Sequence, residues 1–183
     1  MLRRQLTAMA VVSLLCAAPA QAQLALTVAG GATVPMGDYG DYASTGWIGS
    51  IGLMTDVGQK GLGIGALWFY GDNKTSDIEG DKTSLTGFLG NLRFRFGDAT
   101  RPGVFVLGSA GYLDRKYSSE LVSALEGSDN GFIYGGGVGL DLPRGRMTWY
   151  MQASWLNADI AESTIQFSPI TVGVAIGLGK RRD

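Results

Sequence analysis

The chain has 183 residues, of which 45% are hydrophobic and 17% are charged, and this length predicts a single domain. The absence of histidine excludes mechanisms that need an imidazole base or ligand, including the Ser-His-Asp triad and most zinc sites. The 29 glycines follow no Gly-X-Y period and come with only 5 prolines, which excludes collagen and proline-rich disorder.

Residues 1–22 have the pattern of a secretory signal peptide. A basic segment with two arginines comes first, an apolar run follows, and Ala20-Gln21-Ala22 forms a cleavage site. Cys16 follows Leu15 rather than a small residue, so we predict that it is removed with the signal and carries no lipid. The mature domain, residues 23–183, then has no cysteine and must be held by hydrogen bonds and packing rather than by disulfides.

The remaining chain shows period-2 alternation instead of helical periodicity. Eight runs alternate large apolar with small or polar residues, and Gly, Pro, Asp or Asn bounds each run. These predicted strands are 24–34, 47–57, 62–71, 84–96, 104–113, 131–142, 147–156 and 166–179. No apolar run of the mature chain reaches the roughly 18 residues of a membrane-spanning helix.

The connections alternate in length. Long loops at 35–46, 72–83, 114–130 and 157–165 alternate with tight turns at 58–61, 97–103 and 143–146. Short turns at one end and long loops at the other are typical of an outer-membrane barrel. We therefore predict an all-β domain, an eight-stranded antiparallel up-and-down transmembrane β-barrel, with a secreted β-sandwich as the alternative fold.

The two faces of the strands differ in kind. One face is mostly large and apolar, and the other is small, rich in glycine and occasionally charged. The apolar set includes Phe88, Leu92, Phe94, Phe96, Trp149, Met151, Ala153, Trp155, Ile170, Val172, Val174, Ile176 and Leu178. An eight-stranded barrel has an interior just wide enough for side chains, so small residues belong inside and the apolar face belongs against lipid.

The charges within the strands all lie on the glycine-rich face. At membrane depth a charge is costly unless it faces the interior and is paired, so we expect Arg93 and Arg95 to pair with Asp141 or Asp56. The predicted interior cluster comprises Asp56, Asn91, Arg93, Arg95, Asp141, Tyr150 and Gln152. A plug of salt-bridged side chains is the favoured interpretation, and an ion-conducting or ligand-binding interior is the alternative.

Aromatic residues and charges distinguish the two ends of the barrel. Two aromatic girdles are predicted, one near the long loops (Trp47, Trp68, Tyr70, Tyr112, Phe132, Tyr134, Trp155 and Phe167) and one near the tight turns (Phe94, Phe96, Phe105 and Trp149). The long loops carry twelve acidic and four basic residues, whereas the tight turns and the C-terminus carry seven basic and two acidic residues. We expect the acidic loops to face outside and the basic turns to face the periplasm.

Two motifs resemble ligand sites only superficially. The glycine-rich run at 135–139 lies within a strand and lacks the helix whose N-terminus would receive a phosphate. The acidic run at 72–81 lacks the ligand spacing of an EF-hand, so a solvated loop is favoured over cation binding. We therefore predict no enzyme, with no catalytic residue, cofactor or metal, and no nucleic-acid partner.

Four segments carry a resemblance to a known family. They are Gly30-Gly31-Ala32-Thr33-Val34-Pro35-Met36-Gly37-Asp38 with Gly46-Trp47, then Arg101-Pro102-Gly103-Val104-Phe105, then Gly135-Gly136-Gly137-Val138-Gly139-Leu140-Asp141, and Pro169-Ile170-Thr171-Val172-Gly173. Together they resemble small outer-membrane β-barrel proteins of the opacity and OmpA-like membrane-domain type. The resemblance spans the mature chain and implies insertion into outer-membrane lipid by the barrel assembly machinery, with no catalytic residues. The chain departs from the family by lacking a final aromatic residue, and we expect a short periplasmic tail after Leu178.

The sequence thus predicts an integral outer-membrane protein with a structural or surface-interaction role. A partner outside the cell is expected to contact the loops at 35–46, 72–83, 114–130 and 157–165. The alternatives are a narrow pore for small solutes and a soluble periplasmic barrel that binds an apolar ligand.

Overall fold

Eight antiparallel strands form one closed sheet in the computed structural model of this protein, in the order β1 to β8. The structure describes residues 24–57, 61–74, 82–118, 127–160 and 163–178. The strands are β1 (Leu24–Met36), β2 (Gly46–Val57), β3 (Leu62–Lys74), β4 (Lys82–Arg95), β5 (Gly103–Ser118), β6 (Gly127–Arg144), β7 (Met147–Ile160) and β8 (Ser163–Gly177), and the helix α1 is Asp38–Tyr42. The predicted eight-stranded up-and-down barrel is confirmed. The predicted signal peptide and the C-terminal tail lie outside the described residues.

The strands differ from the predicted runs mainly at the long-loop end. There β5 continues to Ser118 and β6 begins at Gly127, well inside the predicted loop 114–130. The extensions carry charged or polar side chains on both faces, so the hydrophobic alternation ends before the hydrogen-bonded ladder does. The first long loop contains α1, for which the sequence showed no helical signal. Within the described residues, no helix is long and apolar enough to cross a membrane.

The register of the strands determines the size of the barrel. The cross-strand pairs can be followed around the sheet from Leu26 through Leu53, Ala66, Gly90, Ala110, Tyr134, Asn157 and Gln166 to Met36, ten residues farther along β1. With strands about 4.8 Å apart and a rise of about 3.3 Å per residue, this shear gives a tilt of about 40° and a radius of about 8 Å. Such a barrel holds side chains but no wide channel.

Large apolar side chains face outward along every strand. The exposed fractions of Leu92 and Val138 are 54% and 56%, whereas the inward Asn91 is 8% exposed. This arrangement follows the predicted faces and is the reverse of a soluble barrel. A soluble barrel with its apolar faces inward is therefore not the structure of this chain.

Aromatic side chains form two outward rows at the two ends of the barrel. The outward rings are Trp47, Trp68, Tyr112, Phe132, Tyr134 and Trp155 near the long loops, and Phe94, Phe96 and Trp149 near the tight turns. Tyr70 packs against Trp47 with 5.5 Å between ring centroids. The predicted girdle positions of Phe105 and Phe167 are wrong, because these rings face the interior and are 1% and 0% exposed. Alternation decides which face a residue occupies, whatever its distance from the end of the strand.

The interior at the long-loop end is filled by large apolar side chains. This apolar core consists of Ile48, Phe69, Leu85, Leu89, Leu113, Ile133, Leu156, Ala158, Ile160, Ile165 and Phe167. The helix α1 and the residue after it add Tyr39 and Ala43 to the same cluster. The predicted small and polar inner face is therefore correct mainly for the tight-turn half, where the inward Phe105 ring departs from it. Part of this core was not predicted, because Ala158, Ile160 and Ile165 fall in the predicted loop 157–165.

Glycines on the inner face make room for the inward rings. Phe69 is paired across the sheet with Gly87, and Phe105 is paired with Gly139. A Cβ atom at either glycine would overlap the ring of its partner. The glycines and rings therefore fill complementary volumes inside the narrow barrel.

Replacing Gly87 tests this packing. We expect Gly87→Val to destabilise the folded barrel by about 1–3 kcal/mol, because the new side chain must displace the Phe69 ring. The measurement is the temperature at which the folded band is lost in SDS gels of the protein in detergent. Gly90→Val is the control, since Gly90 faces outward and its Cβ would meet only the Ala110 carbonyl oxygen at 3.6 Å. Equal midpoints for the two variants would contradict the prediction.

Candidate functional site in the barrel interior

A polar cavity opens at the tight-turn end of the barrel. Its volume is about 360 Å³, and Asp56, Arg93, Arg95, Asp141 and Arg146 contribute its charged lining. The apolar core lies at the opposite end of the interior. The candidate site is therefore a polar pocket at the end of the barrel where the chain makes its short turns.

One carboxylate in this cavity binds two guanidinium groups. Asp141 is 1% exposed, and its Oδ2 lies 2.9 Å from Arg93 Nη2 and 3.1 Å from Arg95 Nε. Arg95 extends from β4 across Gly103 of β5 to reach Asp141 on β6, and a Cβ at Gly103 would overlap the guanidinium. Of the two partners that the sequence allowed, the structure pairs both arginines with Asp141.

Arg95 also fastens a turn to the barrel. Its Nη1 donates a hydrogen bond of 2.6 Å to the carbonyl oxygen of Asp98, and its Nη2 donates to the carbonyl oxygen of Arg101. The turn is further stabilised by Asp98, whose Oδ1 accepts hydrogen bonds of 2.8 Å from the backbone nitrogen and the hydroxyl of Thr100. These hydrogen bonds lower the pKa of Asp98 below its ordinary value. No sequence pattern signals this role of Arg95, because every residue has a backbone carbonyl that can accept a hydrogen bond.

Arg93 occupies the middle of the interior. Its guanidinium carbon lies 4.7 Å from the centroid of the Phe105 ring, a cation–π contact. Its Nε is buried and has no hydrogen-bond partner among the described residues. Arg93 is therefore held by Asp141 on one side and by an aromatic face on the other.

The other predicted interior residues lie around this group. Asn91 Oδ1 accepts a hydrogen bond of 2.6 Å from the Ser109 hydroxyl, and Gln152 Nε2 donates one of 3.0 Å to the Ser154 hydroxyl. Tyr150 lines a smaller cavity of about 30 Å³ together with Asn91, Arg93 and Gln152. Asp56 lines the larger cavity, but within the described part of the chain it forms no ion pair.

The described residues offer no metal-binding constellation. No group of three or more Cys, Asp or Glu side chains in the described ranges converges on a point that a metal ion would occupy. Both arginines bind Asp141, and they also contact turn carbonyls and an aromatic ring. These contacts link strands β4, β5 and β6 and the turn between β4 and β5.

A second polar network closes the long-loop end. The buried Thr33 hydroxyl donates a hydrogen bond of 2.9 Å to Asn73 Oδ1, and Asn73 Nδ2 donates one of 3.0 Å to the carbonyl oxygen of Ser44. Ser44 N in turn donates to the carbonyl oxygen of Lys74 over 2.8 Å. These bonds hold the segment after α1 against β3, above the apolar core.

A family model described as outer membrane protein beta-barrel domain matches residues 7–176 of this chain. No curated protein matches the chain in sequence. Several solved structures are similar in fold. Neisserial surface protein A has a TM-score of 0.68 and 7% identity, over 86% of this chain and 99% of that chain.

The N-terminal β-barrel domain of Pseudomonas aeruginosa OprF has a TM-score of 0.55 and 17% identity, over 85% of this chain and 100% of that chain. Ail, the attachment invasion locus protein of Yersinia pestis, solved in complex with the heparin analogue sucrose octasulfate, has a TM-score of 0.50 and 13% identity, over 85% of this chain and 96% of that chain. At such low sequence identities, the structural similarity shows a shared fold alone.

Loss of the buried Asp141 carboxylate should cost far more stability than loss of an exposed carboxylate in a surface ion pair. We expect Asp141→Asn to destabilise the barrel by about 3–5 kcal/mol, because it leaves two buried guanidinium groups without their counter-charge. Asp129→Asn is the control: Asp129 pairs with Arg115 over the same 3.1 Å but is 50% exposed. Its loss should cost only about 0.2–1 kcal/mol. Thermal midpoints in detergent measure both, and a smaller loss for Asp141→Asn than for Asp129→Asn would contradict the prediction.

We expect Tyr39 of the helix α1 to make the stability of the barrel depend on pH in the alkaline range. Burial raises the pKa of Tyr39 from 10.0 to about 12, so the folded barrel keeps this phenol neutral after the unfolded chain has ionised. The resulting stabilisation is complete below about pH 10 and declines as the pH rises toward 12. Thermal unfolding between pH 9 and pH 12 should therefore show a steeper decline for the native chain than for Tyr39→Phe. Parallel declines would show that Tyr39 does not cause it.

Proposed function

This chain belongs to the outer-membrane β-barrel domain family, and on that premise we propose that it is a non-conducting barrel that presents its long loops at the cell surface. Family membership implies location in the outer membrane. The proposal adds a closed interior, an orientation, and a structural or surface-interaction role. A cleaved signal peptide at 1–22 is part of it, since export must precede insertion.

The apolar core at the long-loop end carries the proposal. Phe69, Leu85, Leu113, Ile133 and Phe167 are between 0% and 1% exposed, and they come from five different strands. Side chains that meet from so many strands fill the cross-section of a barrel with a radius of about 8 Å. Tyr39 of the helix α1 and the following residue Ala43 pack against these side chains. A hydrated ion entering the polar cavity therefore meets a dry barrier farther along the axis.

Charge supports the orientation. The long loops carry twelve acidic and four basic residues, whereas the tight turns and the C-terminus carry seven basic and two acidic residues. Short turns face the periplasm in bacterial barrels, and longer loops face outside. The long loops, which include 119–126 and other stretches outside the described residues, are then the segments free to contact a partner.

A narrow pore is the second candidate, and the polar cavity of about 360 Å³ favours it. The charged lining of Asp56, Arg93 and Arg95 would suit passage of small ions through the tight-turn half. A continuous path would still require the apolar core to open. The two candidates therefore differ in one measurable property, steady conductance.

Planar bilayers test the closed interior. We expect no steady unitary current steps from the native chain, because the apolar core blocks the axis. Heat-dependent gel mobility of the same sample must show a folded barrel, so that absence of current is not absence of protein. Asp56→Lys reverses a charge at the cavity mouth without breaking an ion pair among the described residues. Steady steps whose ion selectivity changes in Asp56→Lys would overturn the proposal in favour of a pore.

A further inference from the structure

Three lysines form a cluster on the outward face of neighbouring strands. Lys74 on β3 is directly opposite Lys82 on β4, and Lys116 on β5 is opposite Ser84, two residues from Lys82. All three are exposed. Directly opposed side chains have Cβ atoms about 4.5–5.5 Å apart, and diagonal neighbours are about 7–8 Å apart. The lysine cluster, Lys74, Lys82 and Lys116, is therefore one compact patch.

The cluster lies just beyond the aromatic row. Lys74 and Lys116 each lie four residues farther toward the long loops than Tyr70 and Tyr112 on the same face of their strands. With a rise of about 3.3 Å and a tilt of about 40°, four residues raise a side chain by about 10 Å along the barrel axis. Aromatic rows mark the membrane–water interface, so the ammonium groups lie at the level of lipid headgroups.

Among the described residues, the three lysines outnumber the carboxylates on the same outward face. Asp72 and Asp114 share the outward face one row closer to the membrane, and Asp72 accepts a hydrogen bond of 2.9 Å from the Tyr70 hydroxyl. No carboxylate in the described ranges lies within 4.0 Å of the three lysine nitrogens. Like charges directly opposite each other destabilise a sheet, so an anion bound beside the Lys74–Lys82 pair would stabilise it.

We propose that the lysine cluster binds phosphate groups of phosphorylated glycolipid in the outer leaflet. The proposal rests on the orientation given under Proposed function, with the long loops outside. A lipid phosphate arrives laterally at the barrel wall, where the cluster lies. A soluble polyanion is repelled by the net negative charge of the long loops, in which twelve acidic residues outnumber four basic ones. Lysine ammonium groups suit this ligand as flexible point charges on phosphate oxygens.

The test uses the full barrel in phosphatidylcholine vesicles that contain bisphosphorylated lipid A or its dephosphorylated form, with a chelator present to remove bridging cations. The readout is the temperature at which the folded gel band is lost. We expect phosphorylated lipid A to raise this temperature for the native chain and dephosphorylated lipid A to raise it far less. K74Q/K82Q should lose most of the rise, and K116Q should lose part of it.

A matched control removes two charges from the opposite end. R101Q/R144Q changes two exposed arginines in the tight-turn region and should keep the full rise, because these groups face away from the outer leaflet. A full rise in K74Q/K82Q, or an equal loss in K74Q/K82Q and R101Q/R144Q, would overturn the proposal. The proposal would also be overturned if K74Q/K82Q and the native chain differed in unfolding temperature by the same amount in vesicles without phosphorylated glycolipid. The lysines would then affect stability within the protein itself.

Two further arms separate the sources of the anion. Pyrophosphate or sucrose octasulfate is added to the barrel in neutral detergent at the same anion concentration as the lipid A phosphate. A lysine-dependent rise as large as that with lipid A would assign the cluster to a soluble anion and overturn the lipid assignment. Conductance measured with the same vesicles is an independent readout. Steady current steps would overturn the closed interior, but a lysine-dependent rise in unfolding temperature would still support lipid binding by the cluster.

Discussion

Closure of the backbone ladder in a nonpolar solvent is the constraint on which the rest of this structure depends. Lipid offers no hydrogen-bond partner to a peptide group, so every strand must pair on both sides and the last must meet the first. Eight strands with a shear of ten residues satisfy this, and β1 pairs with β8 from Ala25 to Met36. The number of strands and the shear then determine the radius, and the radius limits the interior to side chains.

Lipid contacts only one face of each strand, which explains why the two faces differ so much in composition. The outward face has to be apolar throughout the membrane, as Leu92 and Val138 are. The inward face has only to fill its volume and satisfy its polar groups. Here it does so in two ways, with Phe69 against Gly87 in the apolar half and Asp141 between two arginines in the polar half. The same barrel wall therefore encloses two chemically distinct interiors.

The sequence could predict those features that contact with lipid requires, namely the strands and the assignment of their two faces. The outward alternation identified eight strands and both faces, and the cost of buried charge paired Arg93 and Arg95 with an acidic residue. It could not choose between Asp56 and Asp141, because that choice depends on the stagger of β4 against β6, which the lipid-facing pattern does not encode. It also missed the interior position of Phe105 and Phe167, the helix α1, and the strand ends around Asp114, where polar and charged residues follow one another and the apolar alternation stops. The anchoring of the 96–102 turn by Arg95 was missed because its acceptors are backbone carbonyls.

A fold held by an alternation pattern tolerates almost any sequence that keeps the pattern, so barrels of this kind share architecture at identities where side-chain chemistry is no longer shared. Specific properties must then come from residues that the pattern leaves free. In this chain they are the inward groups and the side chains beyond the aromatic row. The inward groups are largely satisfied within the barrel: Asp141 by two arginines, Asn73 by Thr33 and Ser44. The lysines beyond the aromatic row have no such partner among the described residues, and for that reason the chemistry that distinguishes this barrel from its relatives is to be sought on its outer rim.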